Sequence, residues 1–168
     1  MIVIINGPPG IGKTTIANKL SKKLTKASVI EVDRFKYFTV DKRKTTESID
    51  LADEQVFAMM YALRESKRNI ILEFIYDAPK YFQAIVRQCK TIDKQVYAFR
   101  LRAHIDANTH RDTRRPKNLR LGSKVKLIHE RMDKLGDAVG YTVETTGLSV
   151  EKTAEKIYLL IDGEIGFA

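Results

Sequence analysis

The chain has 168 residues with 43% hydrophobic content, which suits one domain over residues 1–168 with a buried sheet core and requires no second one. The only cysteine, Cys89, excludes an intramolecular disulfide and a thiolate metal cluster and reads as a small buried apolar residue rather than a nucleophile. The net charge of +9 has a location, because Arg100 to Lys134 holds eleven Lys or Arg against four Asp or Glu. No apolar run approaches the ~18 residues of a spanning helix, and no basic-apolar leader precedes the first strand, so the expectation is a cytoplasmic protein with no membrane partner.

In chain order, the apolar strand Ile2-Val-Ile-Ile-Asn6 runs into a glycine-rich turn and then a helix. From Gly7 to Thr14 the residues fit G-x-x-x-x-G-K-[ST] in full, in the strand-to-helix context that a phosphate cradle needs. Gly7, Gly10 and Gly12 let backbone amides approach an anion closely, and the helix that follows aims its positive dipole end at the same place. Lys13 can reach the β- and γ-phosphates, and the Thr14 hydroxyl is the expected magnesium ligand. The candidate nucleotide-binding residues are thus Gly7, Pro8, Pro9, Gly10, Ile11, Gly12, Lys13, Thr14 and Thr15, with ATP and Mg²⁺ as cofactors.

Ile16, Leu20 and Leu24 fall at helical spacing, and the pattern stops near Lys26. Val29 to Val32 reads as a short buried strand that delivers Glu31, Asp33, Phe35, Tyr37 and Phe38 to the edge where a parallel sheet binds ligands. Residues 39–48 read as an exposed connection or frayed helix, followed by an amphipathic helix from about Asp50 to Ser66. The continuous apolar run Asn69–Ile75 predicts a central strand. Then come a helix over Ala78–Ile92, a strand over Gln95–Leu101, a helix from Ile105 that breaks before Pro116, a helix over Leu121–Leu135, a strand over Tyr141–Thr145 and a closing helix begun by Ser149. Strands alternating with helices argue for an α/β layered fold with a parallel sheet.

Three groups of side chains carry chemistry. Alternation in an extended Glu31-x-Asp33 segment predicts both acids on one side, one to steady the magnesium shell and the other, Asp33, to act on the attacking hydroxyl. Glu73, at the end of Ile70-Ile-Leu, competes with Glu31 for the metal role, since an acid in a buried strand requires a charged partner. Arg111, Arg114 and Arg115 are spaced i, i+3, i+4 and predict one face of a lid at about residues 110–122 that neutralises transition-state charge. His104, His110 and His129 share no metal-ligand spacing and read as structural.

Together these residues resemble the small P-loop kinases related to shikimate kinase, gluconate kinase and chloramphenicol phosphotransferase, over most of the chain. Gly7–Thr14 is similar to their Walker A loop, Glu31-x-Asp33 to the Asp-x-Asp pair of shikimate kinases, and Asp33-Arg-Phe to the catalytic-acid segment of chloramphenicol phosphotransferase. Arg111-Asp-Thr-Arg-Arg115 with Gly122 and Ile128-His129 is similar to that enzyme's lid. Glu144-Thr-Thr-Gly-Leu-Ser149 resembles the turn that holds adenine together with a lid arginine, which implies Arg114, Thr146 and Gly147 as nucleotide contacts. The resemblance implies a three-layer P-loop NTPase fold, with a five-stranded parallel sheet in the order 2-3-1-4-5 and a small lid. Glu31 departs from the shikimate kinase pattern, and no residues match the shikimate or gluconate pockets.

The expected activity is ATP-dependent transfer of the γ-phosphoryl group to a hydroxyl of a small molecule, with Lys13, Asp33, Arg111 and Arg115 as catalytic residues. The alternatives are a nucleic-acid end kinase or nucleoside kinase, suggested by the charge and by the aromatics Phe35, Tyr37, Phe38 and Tyr76, and a nucleotide-driven switch protein. A nucleic-acid partner is disfavoured because a phosphate-contacting lid accounts for the charge. The switch is disfavoured because no Asn-Lys-x-Asp element is present. No feature of the sequence sets the oligomeric state.

Overall fold

Strand β1, Ile2–Asn6, is buried at every position. Successive side chains of a strand face opposite ways, so Ile2 and Ile4 enter one apolar layer while Val3 and Ile5 enter another. A strand apolar on both faces must be covered on both, which places it at the middle of a three-layer structure. The computed structural model describes residues 1–35, 46–114, 116–117, 120–166 and 168, with the side chains of 46–50 excepted.

Along the chain the elements are β1, α1 (Lys13–Ser21), β2 (Ala27–Glu31), α2 (Val32–Phe35), α3 (Thr46–Glu65), β3 (Asn69–Phe74), α4 (Pro79–Ile92), β4 (Val96–Arg102), α5 (Ile105–Thr113), α6 (Ser123–Leu135), a 3-10 turn (Gly136–Val139), β5 (Tyr141–Glu144) and α7 (Val150–Asp162). The five strands form one parallel sheet in the order β2-β3-β1-β4-β5, the order the resemblance implies. One face is covered by Val56 and Met60 of α3, Phe82, Ile85 and Cys89 of α4 and Met132 of α6. Ile16, Ala17 and Leu20 of α1 with Ala154, Ile157 and Ile161 of α7 cover the other. Cys89 is fully buried, and that burial pushes its thiol up to about 12, as befits a core residue and not a nucleophile. Ser149 caps α7, its Oγ accepting from the Lys152 amide at 3.2 Å. No helix among the described residues is long and apolar enough to cross a membrane.

Several boundaries differ from the expectation. Helix α1 ends at Ser21 and not near Lys26, because the following amides of Lys22 and Lys23 bond to the carbonyls of Lys19 and Leu20 and Lys26 turns left-handed at φ 49°. Strand β2 ends at Glu31, so Val32 and Asp33 belong to a helical turn. Alternation therefore does not put Glu31 and Asp33 on one side. Glu31 instead pairs with Arg34 at 3.0 Å, an i,i+3 contact of the kind a helical turn provides. Tyr37, Phe38 and most of the 39–48 connection lie outside the described residues.

Candidate active site

The carboxyl ends of the parallel strands gather the candidate residues, beginning with one the sequence reading passed over. Asn6 closes β1 with no exposed surface, and its amide is fully used. Its Nδ2 donates to the carbonyls of Tyr76 and Val139, each at 3.0 Å, and its Oδ1 accepts from the amides of Gly7 at 2.8 Å and Tyr76 at 2.9 Å. A buried, saturated amide of this kind fixes where the glycine loop leaves the sheet.

The loop then doubles back, with the Ile11 amide on the Pro8 carbonyl at 3.4 Å, and reaches α1 through Gly12 in a left-handed conformation. Gly12 has no side chain with which to cap α1, so the first-turn amides are presented toward the loop, as an anion requires. Lys13 is 9% exposed, and its Nζ donates to the Pro8 carbonyl at 3.3 Å, which folds the ammonium back over the loop. Thr15 is exposed and faces away from the core.

Two carboxylates stand side by side at this edge, because Glu31 of β2 and Glu73 of β3 are register partners. Their surroundings differ. The Thr14 hydroxyl donates to Glu73 Oε1 at 3.1 Å, whereas Glu31 is engaged by Arg34. Burial raises the Glu73 pKa; Lys13 and the Thr14 hydroxyl oppose that rise, while the negative charges of Glu31 and Asp33 add to it. A threonine that gives its proton to a carboxylate turns its lone pairs outward, so Thr14 and Glu73 present hard oxygen donors that fit Mg²⁺. Among the described residues no group of three or more His, Cys, Asp or Glu could hold a metal by itself.

Asp33 is the second residue of α2, and its charge is felt at both Glu73 and Tyr76. Tyr76 is buried and forms edge contacts with Phe74 and Phe82 at ring separations of 4.7 and 6.2 Å. Burial first, and then the charges of Asp53, Cys89, Asp33 and Glu73, hold the Tyr76 phenol well above its ordinary range.

Helix α5 seats directly on the loop. Arg111 Nη1 donates to the Ile11 carbonyl at 3.1 Å, and a Cβ on Gly10 would stand 2.6 Å from the Asn108 carbonyl oxygen. The helix ends at Thr113, with Arg114 exposed just beyond it, and Arg115 lies outside the described residues. Of the expected single face of three arginines, only Arg111 lies within α5 among the described residues, and Arg114 is its C-cap residue. Asp112, buried at 3% exposure, bridges to the next helix: its carboxylate accepts from the amides of Leu121 (3.1 Å to Oδ2) and Gly122 (3.0 Å), at the start of α6. The turn after β5 meets the first end of α5, where the His104 amide donates to Thr146 Oγ1 at 3.0 Å, and Gly147 follows with open space around it. Arg114 caps the other end of α5, about 13 Å away at 1.5 Å per residue.

A parallel 2-3-1-4-5 sheet with a glycine loop between its central strand and the following helix defines the P-loop NTPase class. Within that class the chain belongs to the AAA domain family, which matches residues 2–135. No curated protein matches the sequence. Among solved structures the chain is similar to the tunicamycin resistance protein of Deinococcus radiodurans, at 24% identity, covering 99% of this chain and 97% of that one with a TM-score of 0.72. It is also similar to a sugar kinase from Janibacter sp. HTCC2649, at 17% identity, 96% and 94% coverage and a TM-score of 0.71. A third likeness is to shikimate kinase from Bacteroides thetaiotaomicron, at 14% identity, 96% and 98% coverage and a TM-score of 0.63. At these identities the structures share a kinase-like fold.

Proposed function

We propose that the protein is a kinase that transfers the γ-phosphoryl group of ATP to a hydroxyl of a small-molecule acceptor. The observation that carries the reading is the joint placement of Lys13, the Thr14–Glu73 pair and Arg111 around one glycine loop. In this reading the loop amides and Lys13 hold the β- and γ-phosphates, and Thr14 with Glu73 supports Mg²⁺. When bound, that ion neutralises charge on the phosphate oxygens. Glu31, engaged by Arg34, takes the lesser part.

Arg111 sits one side chain from the loop and is the described arginine best placed to oppose transition-state charge. Arg114 and Arg115 would join it when residues 110–122 fold over the nucleotide as a lid, with Thr146 and Gly147 beside the base. Asp33, in the helical turn just past β2 with its charge reaching Tyr76, would orient or deprotonate the acceptor hydroxyl. The likeness to a sugar kinase and to shikimate kinase supports a small acceptor.

A nucleic-acid end is the second reading, favoured by the net charge of +9, and it predicts a steep fall of oligonucleotide affinity with salt. Titration of a fluorescent ATP analogue with and without Mg²⁺ tests the nucleotide half. Magnesium-dependent binding that Lys13→Ala removes is expected, and equal binding by both proteins would end the proposal.

A further inference from the structure

A line of polar groups, buried at Arg100, His129 and Asn108, runs from the sheet to the glycine loop, and the phosphate chemistry above uses none of it. On β4, Arg100 is 3% exposed and donates to the Met132 carbonyl at 3.1 Å and to Asp133 Oδ1 at 3.3 Å, while Arg102 Nε donates to the same Oδ1 at 3.1 Å. Asp133 Oδ2 in turn lies 3.3 Å from His129 Nε2, one turn earlier on α6. A carboxylate at Nε2 places the imidazole proton there and leaves Nδ1 as an acceptor. Asn108 Nδ2 meets that Nδ1 at 3.1 Å. Asn108 is on α5, has no exposed surface, and its own backbone carbonyl is the group that lies against Gly10.

Two features distinguish this line from ordinary core polarity. The first is that Asn108 Oδ1 is buried and, among the described residues, accepts no hydrogen bond. The second is that Asn108 and Arg111 lie three residues apart on α5 and both reach the loop, one through its carbonyl at Gly10 and the other through its guanidinium at Ile11. Whatever fixes Asn108 therefore also fixes Arg111.

We propose that Asp133, His129 and Asn108 form a brace that holds α5 against the glycine loop, making all three positioning residues for Arg111 and the loop amides. The proposal rests on the kinase reading for its consequence: a displacement of about 1 Å in a group that opposes transition-state charge can cost on the order of 10²-fold in rate. Its geometry stands without that reading. His129→Leu removes the acceptor for Asn108 while keeping an apolar side chain at a buried site, and His129→Asn restores a carbonyl oxygen close to where Nδ1 stood.

Hydrogen exchange by mass spectrometry on the nucleotide-free protein reads the result, so no assumption about ligand enters. In His129→Leu, exchange of peptides covering 7–16 and 104–113 should rise about tenfold or more, with β3 (69–74) unchanged. In His129→Asn the glycine-loop peptide should return to within about threefold of the original protein. An unchanged glycine-loop peptide in His129→Leu would overturn the proposal, as would a rise spread equally over β3 or a lack of rescue in His129→Asn.

Discussion

Gly10 is the position where α5 touches the phosphate loop, and a single added methyl group examines that contact. The residue has φ +79°, and a Cβ there would stand 2.6 Å from the Asn108 carbonyl oxygen. Holding an L-residue in the left-handed region costs roughly 1–2 kcal/mol. Relieving the overlap moves two backbones, and overpacking of this kind costs roughly a further 1–3 kcal/mol. Gly10→Ala should thus destabilise by about 2–5 kcal/mol. At about 2–4 °C per kcal/mol for a chain of this size, that lowers the melting temperature by roughly 5–20 °C.

Gly12→Ala is the internal control, because Gly12 is also left-handed at φ +97° but its added Cβ would meet only Ile16 Cδ1 at 3.9 Å. It carries the conformational cost without the clash, hence about 1–2 kcal/mol. Differential scanning calorimetry of both variants separates the two contributions. If Gly10→Ala melts no lower than Gly12→Ala, α5 is not seated on the loop, and the argument from Asn108 and Arg111 fails with it.

Glu73→Gln keeps an acceptor for the Thr14 hydroxyl but removes the charge, so the magnesium dependence of ATP-analogue binding should weaken roughly 10–100-fold, as when a partner of a metal ligand is lost. Because the folded pKa of Glu73 is raised, its contribution to stability is present below the ordinary carboxylate range and is lost as pH rises through the raised value. Melting curves of the original protein should show that loss and those of Glu73→Gln should not; identical pH profiles would contradict it. Asp33→Asn should bind the Mg²⁺–ATP analogue with near-normal affinity by calorimetry yet lose on the order of 10² to 10⁴ in transfer rate. Loss of magnesium-dependent binding would instead move Asp33 into the metal shell. Asp112→Ala removes the acceptor for the Leu121 and Gly122 amides and should cost about 0.5–2 kcal/mol, the usual scale for a helix N-terminal cap. Faster tryptic cleavage after Arg114, Lys117 and Arg120 should accompany it, and unchanged cleavage would contradict a holding role for Asp112.

Local sequence signals made much of this architecture legible. The apolar run of β1, the complete Gly7–Thr14 pattern and the helical spacing of Val56, Met59, Met60 and Leu63 each determine an element by themselves, although Met59 is exposed where the spacing put it on the core face. Glu73 was also visible, as an acid ending a buried strand that needs a partner. What stayed hidden depends on contacts between residues far apart in the chain. Asn6 gave one hint, as a polar residue closing an apolar strand, but its bonds to Tyr76 and Val139 come from sheet topology. Asn108 sits on a short polar helix whose pattern marks no buried face, and its burial follows from α5 lying between the loop and α6. The Glu31–Asp33 error has a similar origin, since period-two reasoning assumes a strand, and here the strand gives way to a helical turn one residue too early.

The central claim is tested most directly by incubating the protein with γ-labelled ATP and Mg²⁺ across hydroxylated small molecules and short oligonucleotides, with Lys13→Ala in parallel. The account predicts labelled phosphate on a small-molecule hydroxyl, lost in Lys13→Ala. Label found only on oligonucleotide ends, or transfer that survives Lys13→Ala, would contradict it.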